Sequence, residues 1–555
     1  MASFPKSGLR SLARRAATAF AVGAAGMATA QLVYKDRRLD PEFRALFSLP
    51  VAAAAAKKGV EAGHIIPGLP EYTLEEVAAH NKVPKKGKDA KGAPRVWTTY
   101  KGGVYDITDF LDGHPGGRNR IVLSAGGSID PFWRQFKIHD QDAVRTILEG
   151  MRIGNVKGYV AKKEDESDSA AWANEPKRHP ALVKKSTQPF NAETPDEALT
   201  DTAVVSNELW FVRNHMPVPM LDINKHCVVV EGEGTKTACF SVADLKRQFT
   251  SHSITTTIQC GGNRRTEAIE ATAEGRTGAG KGAKVAGLEW TNGAIGTAEW
   301  RGVWLRDVLA HQGLDVSALP PGQQFHVRLA GADRDPGGNF EVSIPLEMAM
   351  SPDRDVLLAY EMNGEPIPRD HGAPIRSVIP GVIGVRNCKW LAGVNVHRQE
   401  SQSDWQQRDY KQVPPWAAGS DLSEHGPSWG SIYDMPVTSA ITEATRVDDD
   451  TVTVKGFAYV GGGRGVERVD VSVDGGTTFS KTATLSDGGI IQPRGKRWAW
   501  QHFTAEVMSK VADGAETADL PVCVRAVTRT NDIQPAVAPY NFRGLMYNGY
   551  SCVKV

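Results

Sequence analysis

The stretch TIQCGGNRRTE, residues 257–267, places a single cysteine between a β-branched run and a turn of two glycines, an asparagine and two arginines. The preceding residues, SHSITTTIQ, have the Thr/Ile content of a strand. Cys260 therefore stands where a strand gives way to a glycine turn. A thiol in that position is ordinarily packed core. With the permanent cations Arg264 and Arg265 close behind, it also suits a soft metal ligand in a pocket for anions. Gly261 and Gly262 would leave space beside such a metal.

Outward from this point the chain runs to 555 residues with a formal net charge of +1. That length allows three or so domains, and the near-neutral balance carries no signature of nucleic-acid or membrane binding. The six cysteines are far apart, with no CxxC and no Cys/His cluster at zinc spacing. A secreted disulfide scaffold is thereby excluded, any disulfide reads as incidental, and the cysteines other than Cys260 read as core thiols.

Composition divides the chain into five segments. Residues 1–69 read as a transit peptide and spacer: Lys6, Arg10, Arg14 and Arg15 precede the first acid, Asp36, in a Ser/Ala-rich context. The uncharged stretch 16–34 is mostly Ala and Gly, so a stable membrane span in the mature protein is not expected. Sorting to the mitochondrial intermembrane space suits this pattern. Residues 70–160 form a small mixed α/β pattern. Residues 161–204 are charged, Pro-containing and poor in apolar periodicity, which reads as a flexible linker. Residues 205–429 form a longer α+β segment dense in Gly, Pro and Arg. From 430 to 555 alternating runs such as TVTVKGFAYV, with turns at GGG and DGG, predict a β-sandwich of seven or so strands.

Two histidines stand out in VYDITDFLDGHPGGRNRIVLSAGGSIDPFWRQFKIHDQDAV (104–144). His114 precedes Pro-Gly-Gly, and His139 falls before a stretch whose Val144, Ile147, Leu148 and Met151 share one helical face. Two imidazoles presented across an apolar slot can fill both axial positions of a haem, leaving it no room for substrate and only electrons to transfer. The string VYDITDFLDGHPGG closely resembles the haem signature of the cytochrome b5 family. That resemblance implies a haem b held by His114 and His139. The segment 81–92 adds basic charge unusual for such domains.

Further strings follow in ELWFVRNHMPVP, QCGGNRR, LAGADRDP, PRDHGAPIRSVIPGVIGVRNCKWL, SDWQQRDYK and NFRGLMYN. In this order and spacing they resemble the sulfite oxidase family across roughly residues 70–555. The resemblance implies a multidomain α+β protein: a small cytochrome b5-like domain, an α+β molybdopterin-binding domain and a C-terminal Ig-like β-sandwich that pairs subunits in a homodimer. It implies that Cys260 ligates molybdenum, and that Arg213, Arg265, Tyr410 and Arg543 line an anion pocket with Trp290 at its wall. Phe211, Val212, Arg213, Asn214 and His215, with Asp333, His371, Arg376, Asn387, Cys388 and Lys389, would hold the molybdopterin. Arg264 would brace the loop. Oxidation of sulfite to sulfate is implied, with electrons leaving singly through the haem to cytochrome c.

Two features depart from the family pattern. Gly261 replaces the usual Ala after the ligand Cys, and residues 267–286 are about ten longer than their counterpart. Within the latter, GRTGAGKG lacks the Ser/Thr and the preceding strand of a P-loop and reads as flexible insertion. The competing readings are a nitrate-reductase-type molybdoenzyme, whose haem domain follows the molybdenum domain, and a non-catalytic haem carrier.

Overall fold

The computed structural model describes residues 62–84, 94–114, 118–135, 139, 142–159, 172–279, 283–335, 338–417, 428–448, 450–490, 495–508 and 520–555. The targeting readings on residues 1–61, much of the basic 81–92 segment, and residues 161–171 lie outside them. Among the described residues no helix is long and apolar enough to cross a membrane. The chain divides into two compact units, one ending at Ala171 and the other starting at Trp172.

The first unit is built on a four-stranded sheet in the order Glu71–Tyr72, Arg152–Val156, Gly103–Asp106, Trp97–Tyr100. The helix Leu74–Ala79 starts at a capping box. The Thr73 hydroxyl accepts from the Glu76 N–H, and the Glu76 carboxylate accepts from the Thr73 N–H, satisfying two donors a helix start leaves open. Val96, Tyr105, Ile107, Leu111, Ile129 and Leu148 form the core. Folded structure begins before residue 70, earlier than the composition implied. Ala62 is buried in this core, and Asn155 both accepts from the Ile66 N–H and donates to its carbonyl.

The second unit opens within the stretch read as linker, and here the structure corrects that reading. Strands Val183–Thr187, Phe190–Glu193 and Val212–Arg213 form a three-stranded sheet, followed by the helix Asp196–Thr200. Charge and proline content hid this, because the packed apolar residues, Leu182, Phe190, Ala192 and Leu199, are few and follow no regular period along the segment.

Two five-stranded sheets follow. One runs His252–Gln259, Ile295–Trp304, Leu357–Met362 and Glu365–Pro366, with Arg376–Val378 also paired to Leu357–Met362. The other runs Gly338–Pro345, His326–Asp335, Leu391–His397, Val228–Gly232, Ala238–Phe240, with one parallel pair between Leu391–His397 and Val228–Gly232. The insertion is partly helical: Arg265–Ala273 is a helix whose Ala268 and Ala271 pack with Ala538 and Tyr547. Of the stretch read as flexible, 275–282, Thr277 is buried and its carbonyl accepts from the Tyr540 N–H at 3.1 Å, while residues 280–282 are outside the described set.

The C-terminal part consists of two four-stranded antiparallel sheets. One contains Thr438–Arg446, Thr451–Tyr459, Gln501–Met508 and Thr484–Ser486. The other contains Lys481–Thr482, Val466–Ser472, Pro521–Thr528 and Ser551–Lys554. Alternation along Gln501–Met508 buries Phe503, Ala505 and Val507 against Val469, Val471, Val522 and Val524 of the other sheet, as a period of two residues requires. Four of the six cysteines are paired, Cys227 with Cys239 and Cys523 with Cys552, so the core-thiol reading fails for them. Cys523 and Cys552 face each other on neighbouring strands, and Cys227 directly precedes the strand that pairs with the one holding Cys239, a proximity that sequence spacing does not reveal.

Candidate active site

In the first unit the His114 and His139 rings lie parallel within 5°, their centroids 6.2 Å apart. Two metal–nitrogen bonds of roughly 2 Å, plus the reach from nitrogen to ring centre on each side, add up to nearly that separation. Phe110 meets the His114 ring edge-on and Trp133 stacks on His139, which fixes both ring planes. The pair therefore fits a six-coordinate haem. Residues 115–117 and 136–138 beside it lie outside the described residues.

In the second unit a cleft opens at the C-terminal end of the strand His252–Gln259. Cys260 lines it, unpaired and only 8% exposed, with its N–H bonded to the Ala294 carbonyl at 2.9 Å. Phe211, Arg213, His215, Asp333, His371, Arg376, Asn387, Lys389 and Tyr410 also line it. Strands and turns from sequence positions almost 200 residues apart thus converge on one thiol.

The cations are held by neutral amide oxygens, three of the backbone and one of a side chain. Arg213 donates to Asn191 Oδ1 at 3.0 Å and to the Asn214 carbonyl at 2.6 Å. Arg265 donates through Nε to the Arg543 carbonyl and through Nη1 to the Leu288 carbonyl, both at 2.7 Å. Burial pulls its pKa down to about 10, with Cys260 and Tyr410 opposing and Arg543 and Arg213 adding to the shift. Gly262, Gly287 and Gly544 surround this guanidinium so closely that a Cβ on any of them would overlap the Arg265 side chain. The glycine after Cys260 likewise admits Ile383. The space expected beside a metal is thus filled by Ile383 and the Arg265 fork.

Arg543 pairs with Asp409 at 3.5 Å, while its buried Nε has no acceptor among the described residues. Burial, reinforced by Cys260, pushes the Tyr410 phenol up against the pull of Arg213, Arg543 and Arg265, so it stays protonated at neutral pH. Arg264, fully buried, bonds Glu267 and the carbonyls of Ser439, Gly549 and Tyr550. It ties the Cys260 turn to the C-terminal sheets.

The far end of the cleft is neutral and cationic by turns. His371 Nε2 donates to the Asn207 carbonyl at 2.8 Å, which leaves Nδ1 as acceptor in the neutral ring. Burial lowers its pKa to about 4. Arg376 braces the His371 and Asn387 carbonyls and lies over the Trp300 ring. Lys389 Nζ donates to Asn214 Oδ1 and, at 2.9 Å, to the Asp370 carbonyl. Burial drops its pKa to about 7, with Asp370 and Asp333 opposing. His215 packs against Trp405 at 4.1 Å between ring centroids.

Other expected residues stand back from the cleft. Val212 is a buried strand residue paired with Ala192. Asn214 reaches the site through Lys389 and Asp370. Cys388 is a core thiol bonded to the Lys389 carbonyl, and burial raises its pKa. Trp290 is buried and, like Arg265 and Arg543, absent from the lining. Its carbonyl holds Thr266 at the start of the helix Arg265–Ala273, so the wall role is not what its position provides.

Sequence reasoning missed Trp210, Ile258, Phe340, Asp370, Gly384, Val385 and Trp390, all of which line the cleft. Asp370 directly precedes His371 in a string already singled out, so an acid beside a candidate ligand was the available signal.

Among the described residues no group of three or more His, Cys, Asp or Glu side chains is placed to hold a bare ion. A metal at Cys260 must therefore bring most of its ligands with it, as a pterin dithiolene does. The cleft, the single thiol, the surrounding guanidinium groups and the orphaned Arg543 Nε fit such an anionic metal–pterin group.

Fold and site together define a molybdopterin oxidoreductase that carries its own haem domain. Residues 215–405 match the oxidoreductase molybdopterin binding domain, 430–555 the Mo-co oxidoreductase dimerisation domain, and 73–157 the cytochrome b5-like heme/steroid binding domain. The chain is 42% identical over 493 residues to the mitochondrial sulfite oxidase of Homo sapiens, covering 87% of this chain and 84% of that protein. It is 40% identical over 486 residues to the sulfite oxidase of Gallus gallus, covering 86% and 98%. The solved sulfane dehydrogenase SoxCD of Paracoccus pantotrophus shares the fold, with a TM-score of 0.51 at 24% identity over 72% of this chain and 92% of that one. The chain belongs to the sulfite oxidase family, and its cofactors are a molybdenum–pterin group and a haem.

Proposed function

We propose that the protein oxidises sulfite to sulfate, with water supplying the oxygen and two protons and two electrons released per turnover. The observation that carries this reading is a buried thiol, Cys260, that lines one cleft with Arg213 and Tyr410, while the Arg265 guanidinium is packed against the glycine turn that follows the thiol. When bound, the molybdenum centre supplies the two-electron oxidation and the haem passes electrons one at a time.

The chain's own residues do the rest. Cys260 is the protein's ligand to the metal. The forked guanidinium groups of Arg213, Arg265 and Arg543 hold a small oxyanion better than point charges would. The protonated Tyr410 phenol donates a hydrogen bond to it. Lys389, Arg376 and His371 anchor the pterin, and His114 with His139 holds the haem iron. Cytochrome c is the electron acceptor in this reading. The basic, acid-free residues 1–35 and the mitochondrial naming of the human relative support the intermembrane space. The match of 430–555 to a dimerisation domain supports a homodimer.

The test is sulfite-dependent reduction of ferricytochrome c by the full chain, run beside nitrate-dependent oxidation of a reduced dye. Sulfite activity at one molybdenum per haem is expected; nitrate turnover without sulfite turnover would overturn the reading. A sharper consequence follows from the glycine packing. Gly262→Ala should displace the Arg265 fork, an overpacking of about 1–3 kcal/mol. If that strain falls on the anion grip, sulfite KM should rise by roughly 5- to 150-fold, with haem content unchanged. A wild-type KM would show that the fork does not touch the anion.

A further inference from the structure

Asp370, like Asp333, puts a carboxylate into the wall of a cleft whose other charged groups include Arg213, Arg376 and Lys389. Its charge is met from outside the cleft. Arg178 donates to Asp370 through Nε at 2.8 Å and Nη2 at 2.9 Å, a two-toothed fork between side chains that are both largely buried. The same guanidinium bonds Glu175, whose other oxygen accepts from the Val218 N–H, and lies 4.2 Å from the centre of the Phe190 ring. Arg178 is therefore held in one pose from three sides.

What Asp370 does next gives the pair its meaning. Its carboxylate accepts from Asn214 Nδ2 at 3.1 Å, and its carbonyl accepts from Lys389 Nζ, which also donates to Asn214 Oδ1. Lys389 lines the cleft and Asn214 follows Arg213 directly. A second tether runs from the same segment: Asn191 Oδ1 accepts both from Arg213 Nη1 at 3.0 Å and from the Asn214 N–H at 2.9 Å. The segment 172–193 precedes the matched molybdopterin-binding region at 215–405, yet two of its side chains set the cleft's cations.

We propose that Arg178 is a positioning residue for the pterin cofactor: by neutralising Asp370 it keeps Lys389 and Asn214 in place and prevents that carboxylate from repelling an anionic ligand. A fork suits this better than a point charge, because both Asp370 oxygens are occupied while one still serves Asn214. Removing Arg178 leaves a buried, unpaired carboxylate beside the ligand, which competes for Lys389 and opposes the ligand's charge. The inference rests on the reading that the cleft holds the molybdenum–pterin group.

The test uses the full chain, with haem in the other unit as an internal standard for molybdenum and pterin per chain. Arg178→Met should speed cofactor loss on dilution by at least about tenfold, the scale seen for outer partners of bound metals, and lower the molybdenum-to-haem ratio accordingly. Arg178→Lys, which keeps the cation without the fork, should fall between the two and serves if the Met variant does not fold. The double variant Arg178→Met/Asp370→Asn should retain cofactor better than Arg178→Met alone, a recovery that loss of a merely structural contact would not give. Wild-type cofactor loss in both single variants, or a double variant no better than Arg178→Met, overturns the inference. A wild-type protein without molybdenum overturns the reading of the cleft itself, and the inference with it.

Discussion

Replacing Cys260 by Ser should lower sulfite turnover by at least about a thousandfold, some 4 kcal/mol of barrier, while haem absorbance and folding stay at wild-type values. The separation of the two outcomes follows from where the residue sits. Cys260 ends the strand His252–Gln259, and its backbone is fixed by the Ala294 and Asn263 hydrogen bonds, not by its sulfur. A serine keeps those bonds and nearly the same volume, so the stability change should stay within about 1 kcal/mol. What is lost is the soft, strongly donating thiolate, which an alkoxide or hydroxyl does not replace at a molybdenum centre. The histidine pair proposed to hold the haem, His114 and His139, lies in the other compact unit. Stopped-flow reduction of the haem by sulfite, beside ultraviolet-visible spectra and urea unfolding, checks all three. Sulfite turnover within tenfold of wild type would remove Cys260 from the ligand role.

The parts of this molecule that sequence made legible are those where chemistry restricts the choice of residue. A bis-imidazole iron needs two histidines, a soft metal site needs a thiolate, and a forked anion grip needs arginine. His114, His139, Cys260 and Arg213 accordingly stood out by type and setting. The sandwich was readable because alternation of period two leaves a direct imprint on sequence, as along Gln501–Met508.

What stayed hidden depends on partners that only folding supplies. Arg178 and Asp370 are 192 residues apart, and nothing local to PKRHPALV distinguishes an arginine that will be buried from one that will be solvated. Asn191 behaves the same way, and so the folded segment 172–204 read as linker. Gly262 shows the complementary error. Its lack of a side chain was legible, but the neighbour needing the room is the Arg265 guanidinium, whose approach depends on Gly287 and Gly544 as well. The disulfides Cys227–Cys239 and Cys523–Cys552 follow from strand register, which the spacing of cysteines does not encode.

His371 should make the cofactor-free protein acid-sensitive over a defined window. Its ring is largely buried at the cleft wall, with Nε2–H committed to the Asn207 carbonyl, and burial lowers its pKa from 6.5 to about 4. The unfolded chain thus binds a proton that the folded chain refuses between those two values. Stability should be fully present above pH 6.5, fall as pH drops through the window, and reach its lower plateau below pH 4. The shift corresponds to about 3 kcal/mol. His326 and His502, also lowered by burial, act with the same sign, so the His371 share must be taken as a difference. His371→Gln keeps an N–H donor for Asn207 and does not titrate. Urea unfolding of the cofactor-free protein between pH 4 and 7 should show a slope shallower by that amount in the variant, and equal slopes would refute a neutral, buried His371. The neutral ring also has a functional meaning. Arg376 and Lys389 already supply positive charge at this end of the cleft, and a third cation packed against them would be costly. An imidazole that keeps an Nδ1 lone pair would instead be able to accept an N–H from a bound pterin, leaving the charge to its neighbours.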